Sequence, residues 1–194
     1  MLSNEFWERL LSMDRATAEK VREGRCPRCG GKLHSANYRR KLRGIPEWLS
    51  KEFCLRYSLC CAEDGCRGRA TPESVRFLGR RIYLAAVVIL SVAMIHGLTD
   101  SRAEKLESYG ISRRTLALWQ QWWSDLPRTE TAFWKIVKGK FVPAVTSDEE
   151  LEEKLPVSLL NRFREGTFED RLIKLLSLLG PLTGGPGLGQ NHAI

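Results

Sequence analysis

Apolar and polar positions along the chain change period twice. In residues 3–23, Phe6, Leu10, Met13 and Val21 recur at helical spacing among Glu5, Glu8, Arg9, Asp14 and Arg15. This predicts an amphipathic helix opened by Ser3, broken around Asp14 and stopped at Gly24. From Cys26 to about Phe77 the helical period is lost and Gly and Pro punctuate short segments, a pattern of small antiparallel strands for which 32–40 and 53–60 are the best candidates. Beyond Arg80 the helical period returns. Helices are predicted over 80–97, 101–109, 112–124, 129–138, 147–154, 156–164 and 167–179, with Asp100 or Ser101 capping the second and Ser112 the third. The Gly- and Pro-rich stretch from Gly180 reads as a flexible terminus with no regular element.

One segment tests the reading as a water-borne protein. Residues 82–98 are nearly continuous apolar sequence, interrupted by Ser91, His96 and Gly97. They fall short of the roughly 20 residues that span a bilayer, and they lead directly into a charged helix. A buried core helix is the preferred reading, with no membrane partner. Residues 1–25 lack the apolar core of a signal peptide, so a reducing, cytoplasmic and nucleoid-associated location is expected.

The six cysteines stand at 26, 29, 54, 60, 61 and 66, inside one short window. In a reducing compartment such clustering favours metal ligation over disulfides. Cys26-Pro-Arg-Cys29-Gly-Gly has the form of a zinc knuckle, with two thiolates on a tight turn and glycine following so that backbone amides point at sulfur. Tetrahedral zinc needs two more ligands. Cys66 has no rival, and between Cys60 and Cys61 strand alternation lets only one reach the metal. Cys61, with four residues between it and Cys66, is the closer match to a knuckle. The expected ligands are therefore Cys26, Cys29, Cys61 and Cys66, with Cys60 the substitute, Cys54 a packing residue and His34 a replacement ligand of last resort. Four thiolates leave no place for water, so the zinc would be structural.

Charge is unevenly divided. Residues 1–80 carry a net +7, 81–145 a net +4 and 146–194 a net −3, within a total of +8. A basic body suits a polyanion through counterion release. The densest basic run, Tyr38-Arg39-Arg40-Lys41-Leu42-Arg43, would make a phosphate-contacting finger that Arg56, Arg67 and Arg69 extend.

Residues 101–124 contain a short helix, a turn at Gly110 and a second helix opened by Ser112, the order of a helix-turn-helix. Leu116, Trp119, Gln120 and Trp123 fall on the inner stripe, leaving Ser112, Arg113, Arg114, Ala117 and Gln121 outward. Arg and Gln suit the guanine and adenine edges of a major groove, and a helix N-terminus favours phosphate. Leu106 stands where an alanine is usual, and Lys105 where an apolar residue is expected.

A Cys-Pro-x-Cys-Gly ribbon of two knuckles followed by a helix-turn-helix resembles the N-terminal region of bacterial insertion-sequence transposases. Gly65-Cys66-Arg-Gly-Arg-Ala-Thr71-Pro72 also looks like proteins encoded beside transposase or integrase genes. The resemblance covers roughly residues 24–124. It implies binding of double-stranded DNA and a transposase or integrase as partner, but the ribonuclease-H-like core of such enzymes has no counterpart here. The acidic run Asp148, Glu149, Glu150, Glu152 and Glu153 reads as a solvated helix face, and no phosphate-binding loop or paired histidine spacing is present.

The expected fold class is thus mainly α with a small β zinc ribbon and a helix-turn-helix bundle after it. Its parts would be an N-terminal helix (1–23), the ribbon (24–79), the helix-turn-helix (80–126), a helical extension (127–180) and a flexible tail (181–194). The expected function is non-catalytic, zinc-dependent DNA binding as an accessory or regulatory part of a mobile element. The alternatives are a protein-interaction adaptor stapled by zinc, or an RNA-binding ribbon.

Overall fold

Helix α1, Asn4–Glu23, opens where Ser3 turns its hydroxyl onto the chain: Phe6 N–H donates to Ser3 Oγ at 3.1 Å. The computed structural model describes residues 2–42, 48, 49, 51–77, 87, 107, 111–125 and 157–183. Within these the chain is a mixture of helices and small antiparallel sheets. It divides into two units, one of Met1–Leu84 with Leu179–Ala193, the other of Ala85–Leu178 with Ile194.

In the first unit α1 buries Phe6, Trp7, Leu10, Leu11 and Asp14 on one face. Trp7 meets the Phe53 ring edge to face at 6.2 Å between centroids. The expected break at Asp14 does not occur. Its carboxylate is bonded in the interior, so a polar residue on the apolar stripe marks a buried partner and leaves the helix continuous.

The two strand candidates form one ribbon. Strands β1, Leu33–Ser35, and β2, Tyr38–Arg39, run antiparallel to β4, Leu59–Cys61, and β3, Leu55–Arg56. Pairing advances without a slip from Leu33↔Cys61 to Arg39↔Leu55. Between the two ladders, Ala36 N–H donates to the Ser58 carbonyl and Ser58 N–H to Asn37 Oδ1, so Asn37 spans the gap with its side chain. Strand β5, Arg69–Ala70, adds to the other edge of β4. Residues 53 and 54 belong instead to a 3-10 turn, Lys51–Cys54.

Strand period decides what the ribbon covers. Leu33, Leu59, Cys61 and Ala70 face inward with Cys26, and Val21 and Cys66 pack against them. Farther along, polar groups hold the unit together. Arg76 donates from Nε to Asp14 Oδ2 at 2.8 Å, from Nη1 to the Glu52 and Phe53 carbonyls, and from Nη2 to the Leu55 carbonyl. Asp14 also accepts from Ser74 Oγ and from Val75 N–H.

The tail expectation needs correction at its start. Gly180–Thr183 is a 3-10 turn. Thr183 Oγ1 accepts from Ser74 N–H at 2.7 Å, and the Thr183 carbonyl accepts from Arg56 Nη2 at 3.0 Å. N-terminal helix, ribbon and this returning turn are therefore one unit, not the separate segments expected.

The second unit holds α2, Arg113–Asp125, α3, Val157–Arg162, and most of α4, Phe168–Leu179. Ser112 Oγ accepts from Thr115 N–H, and Thr167 and Asp170 exchange hydrogen bonds across the first turn of α4. The stripe Leu172, Leu175, Leu176 and Leu179 is buried. Among the described residues no helix is long and apolar enough to cross a membrane. The run 82–98, the helices predicted over 80–97, 101–109, 129–138 and 147–154, and the turn at Gly110 lie outside the described residues apart from Val87 and Glu107, which are helical.

Candidate metal centre

Two turns of unlike length are built to the same plan. In the first, Cys26 N–H donates to the carbonyl of Gly31, two residues past Cys29; in the second, Cys61 N–H donates to the carbonyl of Gly68, two residues past Cys66. The residue directly after the second cysteine is left-handed in both, Gly30 at φ 71° and Arg67 at φ 45°. Only glycine takes that conformation without cost, so Arg67 holds it under strain. The glycine that follows serves a different need. A Cβ on Gly31 would stand 3.1 Å from Cys61 Sγ, and one on Gly68 would stand 3.3 Å from Cys66 Sγ.

These turns bring Cys26, Cys29, Cys61 and Cys66 together, with all four sulfurs within 4.8 Å of one another. Cys26 Sγ lies 3.7 Å from Cys66 Sγ, and Cys29 Sγ lies 3.4 Å from Cys61 Sγ. A disulfide needs about 2.05 Å, so the thiols are free. A tetrahedron of sulfurs about 2.3 Å from a central ion has edges of about 3.8 Å, close to the spacing observed. The four cysteines could hold a metal ion.

The electrostatics fit a cation as well. Amide N–H groups of Arg28 and Cys29 donate to Cys26 and, with the Cys66 and Cys29 thiols, bring it down to about 7 against burial. For Cys29 the Gly31 amide favours the thiolate, but protons shared with Cys61 and Cys66 outweigh it and push the thiol up to about 12. Cys61 is likewise raised: the Glu63 amide favours the thiolate, but burial and the hydrogen bonds with Cys26 and Cys66 together outweigh it. Four sulfurs in one small volume cannot all be thiolates without a positive ion. Metal binding would exchange their protons for that ion.

The other expected residues fall apart from this cluster. Cys60 and His34 are paired across β1 and β4 and lie on the opposite face of the sheet from Cys61, so neither is a ligand. Arg39 and Lys41 are exposed, while Arg40 folds back with its guanidinium 5.7 Å from the Tyr38 ring and 5.8 Å from the Phe77 ring. Arg43 lies outside the described residues. Arg56 cannot extend a finger, because it is buried with its donors on the carbonyls of Tyr57, Pro72 and Thr183. Arg67 is paired with Asp64.

On α2, Leu116, Trp119 and Trp123 are buried, whereas Ser112, Arg113, Arg114, Ala117 and Gln121 are exposed. Gln120 was expected inside and is outside, because three large side chains already fill the stripe. Gln121 Nε2 donates to Asp125 Oδ1 at 2.8 Å, and Arg113 lies 3.7 Å from Glu107. Sequence reasoning did not anticipate the close approach of Gly31 and Gly68 to sulfur or the left-handed turn at Arg67. The signal available was the glycine two places after Cys29 and again after Cys66. Comparison with protein-family models, with curated proteins and with solved structures finds no match to this chain.

Proposed function

We propose that the chain is a zinc-dependent, non-catalytic protein that binds double-stranded DNA, with zinc on the four cysteines as a structural ion. The observation that carries this reading is the exposed face of α2. Arg113 and Arg114 stand in its first turn, which has no acidic residue of its own; Arg113 is ion-paired with Glu107 outside the helix at 3.7 Å, a partner that a phosphate would replace. Cations there oppose the helix macrodipole, typically by about 0.3–1 kcal/mol each. Two of them at the positive end, above a Ser112 cap, concentrate potential that an anionic partner would relieve.

In this reading α2 is the second helix of a helix-turn-helix. Arg113 and Arg114 reach base edges or phosphates, Gln121 exchanges Asp125 for an adenine edge, and the exposed Arg39 and Lys41 of the finger add phosphate affinity. The resemblance to transposase N-terminal regions supports a role as an accessory component of a mobile element, beside a transposase or integrase. One observation favours the adaptor reading instead: Leu118 on the same helix is 51% exposed, an apolar side chain that a protein partner would cover.

The deciding experiment is duplex binding as a function of salt by the zinc-loaded chain and by R113E/R114E. The reading expects weaker binding and a shallower salt slope in the variant. Unchanged affinity and slope would remove α2 from the interface, and binding of a protein partner lost on Leu118→Asp would favour the adaptor.

A further inference from the structure

The ribbon has a second face that neither the metal nor the core uses. Across the three-stranded sheet, His34 pairs with Cys60 and Cys60 with Arg69, so the three form one row over β1, β4 and β5. Their strand neighbours Leu33, Leu59, Cys61 and Ala70 are buried on the other side, while His34 and Arg69 are exposed. Lys32 continues the row's face two residues before His34, where its carbonyl still accepts from Ala62 N–H. A cleft of about 680 Å³ opens beside it, lined by Arg22, Glu23, Lys32, Leu33, His34 and Ser35.

Lys32 and Arg69, like the exposed Arg39 and Lys41 of the finger, differ from those cations of the unit that are ion-paired. Arg15, Arg22 and Arg67 are each held by a carboxylate, from Glu52, Glu19 and Asp64. Among the described residues no carboxylate stands within ion-pair distance of Lys32 or Arg69. Two uncompensated cations and an imidazole are thus set out over about 10 Å across the strands and about 7 Å along them. Among the described residues the row itself carries no aromatic side chain on which bases would stack.

We propose that this face, built around Lys32, His34 and Arg69, is a second contact surface for the phosphate backbone of duplex DNA. The inference rests on the DNA-binding reading above and deepens it: the ribbon grips phosphate through its sheet as well as through its finger. Lys32 and Arg69 supply the charge, and His34 supplies an N–H donor between them. Cys60, half-buried at the centre of the row, keeps the face smooth.

The test is the salt dependence of duplex binding by full-length, zinc-loaded K32Q/R69Q, compared with the charge-keeping K32R/R69K. Losing two phosphate contacts should flatten the slope of log affinity against log salt by about 1.8. Between 50 and 200 mM salt the variant should then lose about tenfold less affinity than the parent, with zinc content unchanged and K32R/R69K behaving as the parent does. Parental slope and affinity in K32Q/R69Q, with both lowered in R113E/R114E, would overturn this face and leave the DNA-binding reading standing. A parent chain that binds no duplex at any salt would overturn both.

Discussion

Asp14 and Arg76, 62 positions apart, form an ion pair with 2% and 0% of their side-chain surfaces exposed, Nε to Oδ2 at 2.8 Å. The pair fastens α1 to the end of the ribbon, and both terminal guanidinium nitrogens of Arg76 donate to carbonyls of Glu52, Phe53 and Leu55. The rings of Phe53, Tyr57 and Phe77 surround the guanidinium at 5.0–5.9 Å.

Breaking one side of such a pair strands the other charge in the interior. Arg76→Leu or Asp14→Ala should each cost about 3–5 kcal/mol. The double variant should cost much less than the two singles added together, because neither charge is then left alone. Denaturant unfolding of the three variants measures this; a loss under 1 kcal/mol in either single variant would show that the pair is not what joins helix to ribbon.

The opposed faces of β4 separate the neighbouring thiols. Cys61→Ser should abolish stoichiometric metal binding and lower the unfolding temperature of the first unit, whereas Cys60→Ser should leave both as in the parent. Metal analysis of the purified chain should find about one zinc, removable by a chelator with loss of structure. Retention of one metal by Cys61→Ser and its loss from Cys60→Ser would reverse the ligand assignment.

Much of this was legible in the sequence, for reasons that are local. Cap chemistry placed the starts of α1 and α2 at Ser3 and Ser112, and knuckle spacing to Cys66 chose Cys61 over Cys60. What was hidden is long-range. No period in the chain shows that Asp14 will meet Arg76, that Arg56 will turn inward, or that Thr183 will return to Ser74 across 109 positions. Each looks like an ordinary polar surface residue until a distant backbone group satisfies it. Apart from Glu107, the first helix and turn of the proposed helix-turn-helix lie outside the described residues, so of its two helices α2 alone is described in full.

The return of Thr183 makes the turn Gly180–Thr183 part of the ribbon unit. Thr183→Val removes the acceptor of the buried Ser74 N–H, a loss of about 1–3 kcal/mol. Truncation before Gly180 also deprives Arg56 of the Thr183 carbonyl and should destabilise further. Thermal unfolding of the metal-loaded proteins reads the difference, and a truncated chain as stable as the parent would show that the turn is merely resting there.

At the surface Arg15 holds Glu52 through its guanidinium and keeps that carboxyl below its ordinary value of 4.5. A depressed carboxyl stabilises the fold above its unfolded value and ceases to do so as pH falls through the folded one. The contribution is therefore present above about pH 4.5 and disappears below it. It is small, because both partners are more than a third exposed. In E52Q the stability difference from the parent should be seen at pH 6 and shrink as the pH is taken below 4.5; a difference constant across that range would contradict the pairing.

Gly31 and Gly65 both lie in the knuckles, yet they should respond oppositely to a single methyl group. At Gly65 an added Cβ meets nothing within 4 Å, and Gly65→Ala should leave metal affinity unchanged. At Gly31 the same atom would stand 2.5 Å from Glu63 Cγ and 3.1 Å from Cys61 Sγ. Glu63 is exposed and can swing aside, so the first clash is relieved in Gly31→Ala/Glu63→Ala. The second is not, because Cys61 Sγ is held by its place among the four sulfurs. Both the single and the double variant should therefore lose metal to a competing chelator more readily than the parent. If Glu63→Ala restored parental affinity to Gly31→Ala, the crowding would lie with the glutamate, and the close approach of Gly31 to the sulfur would have no part in holding the metal.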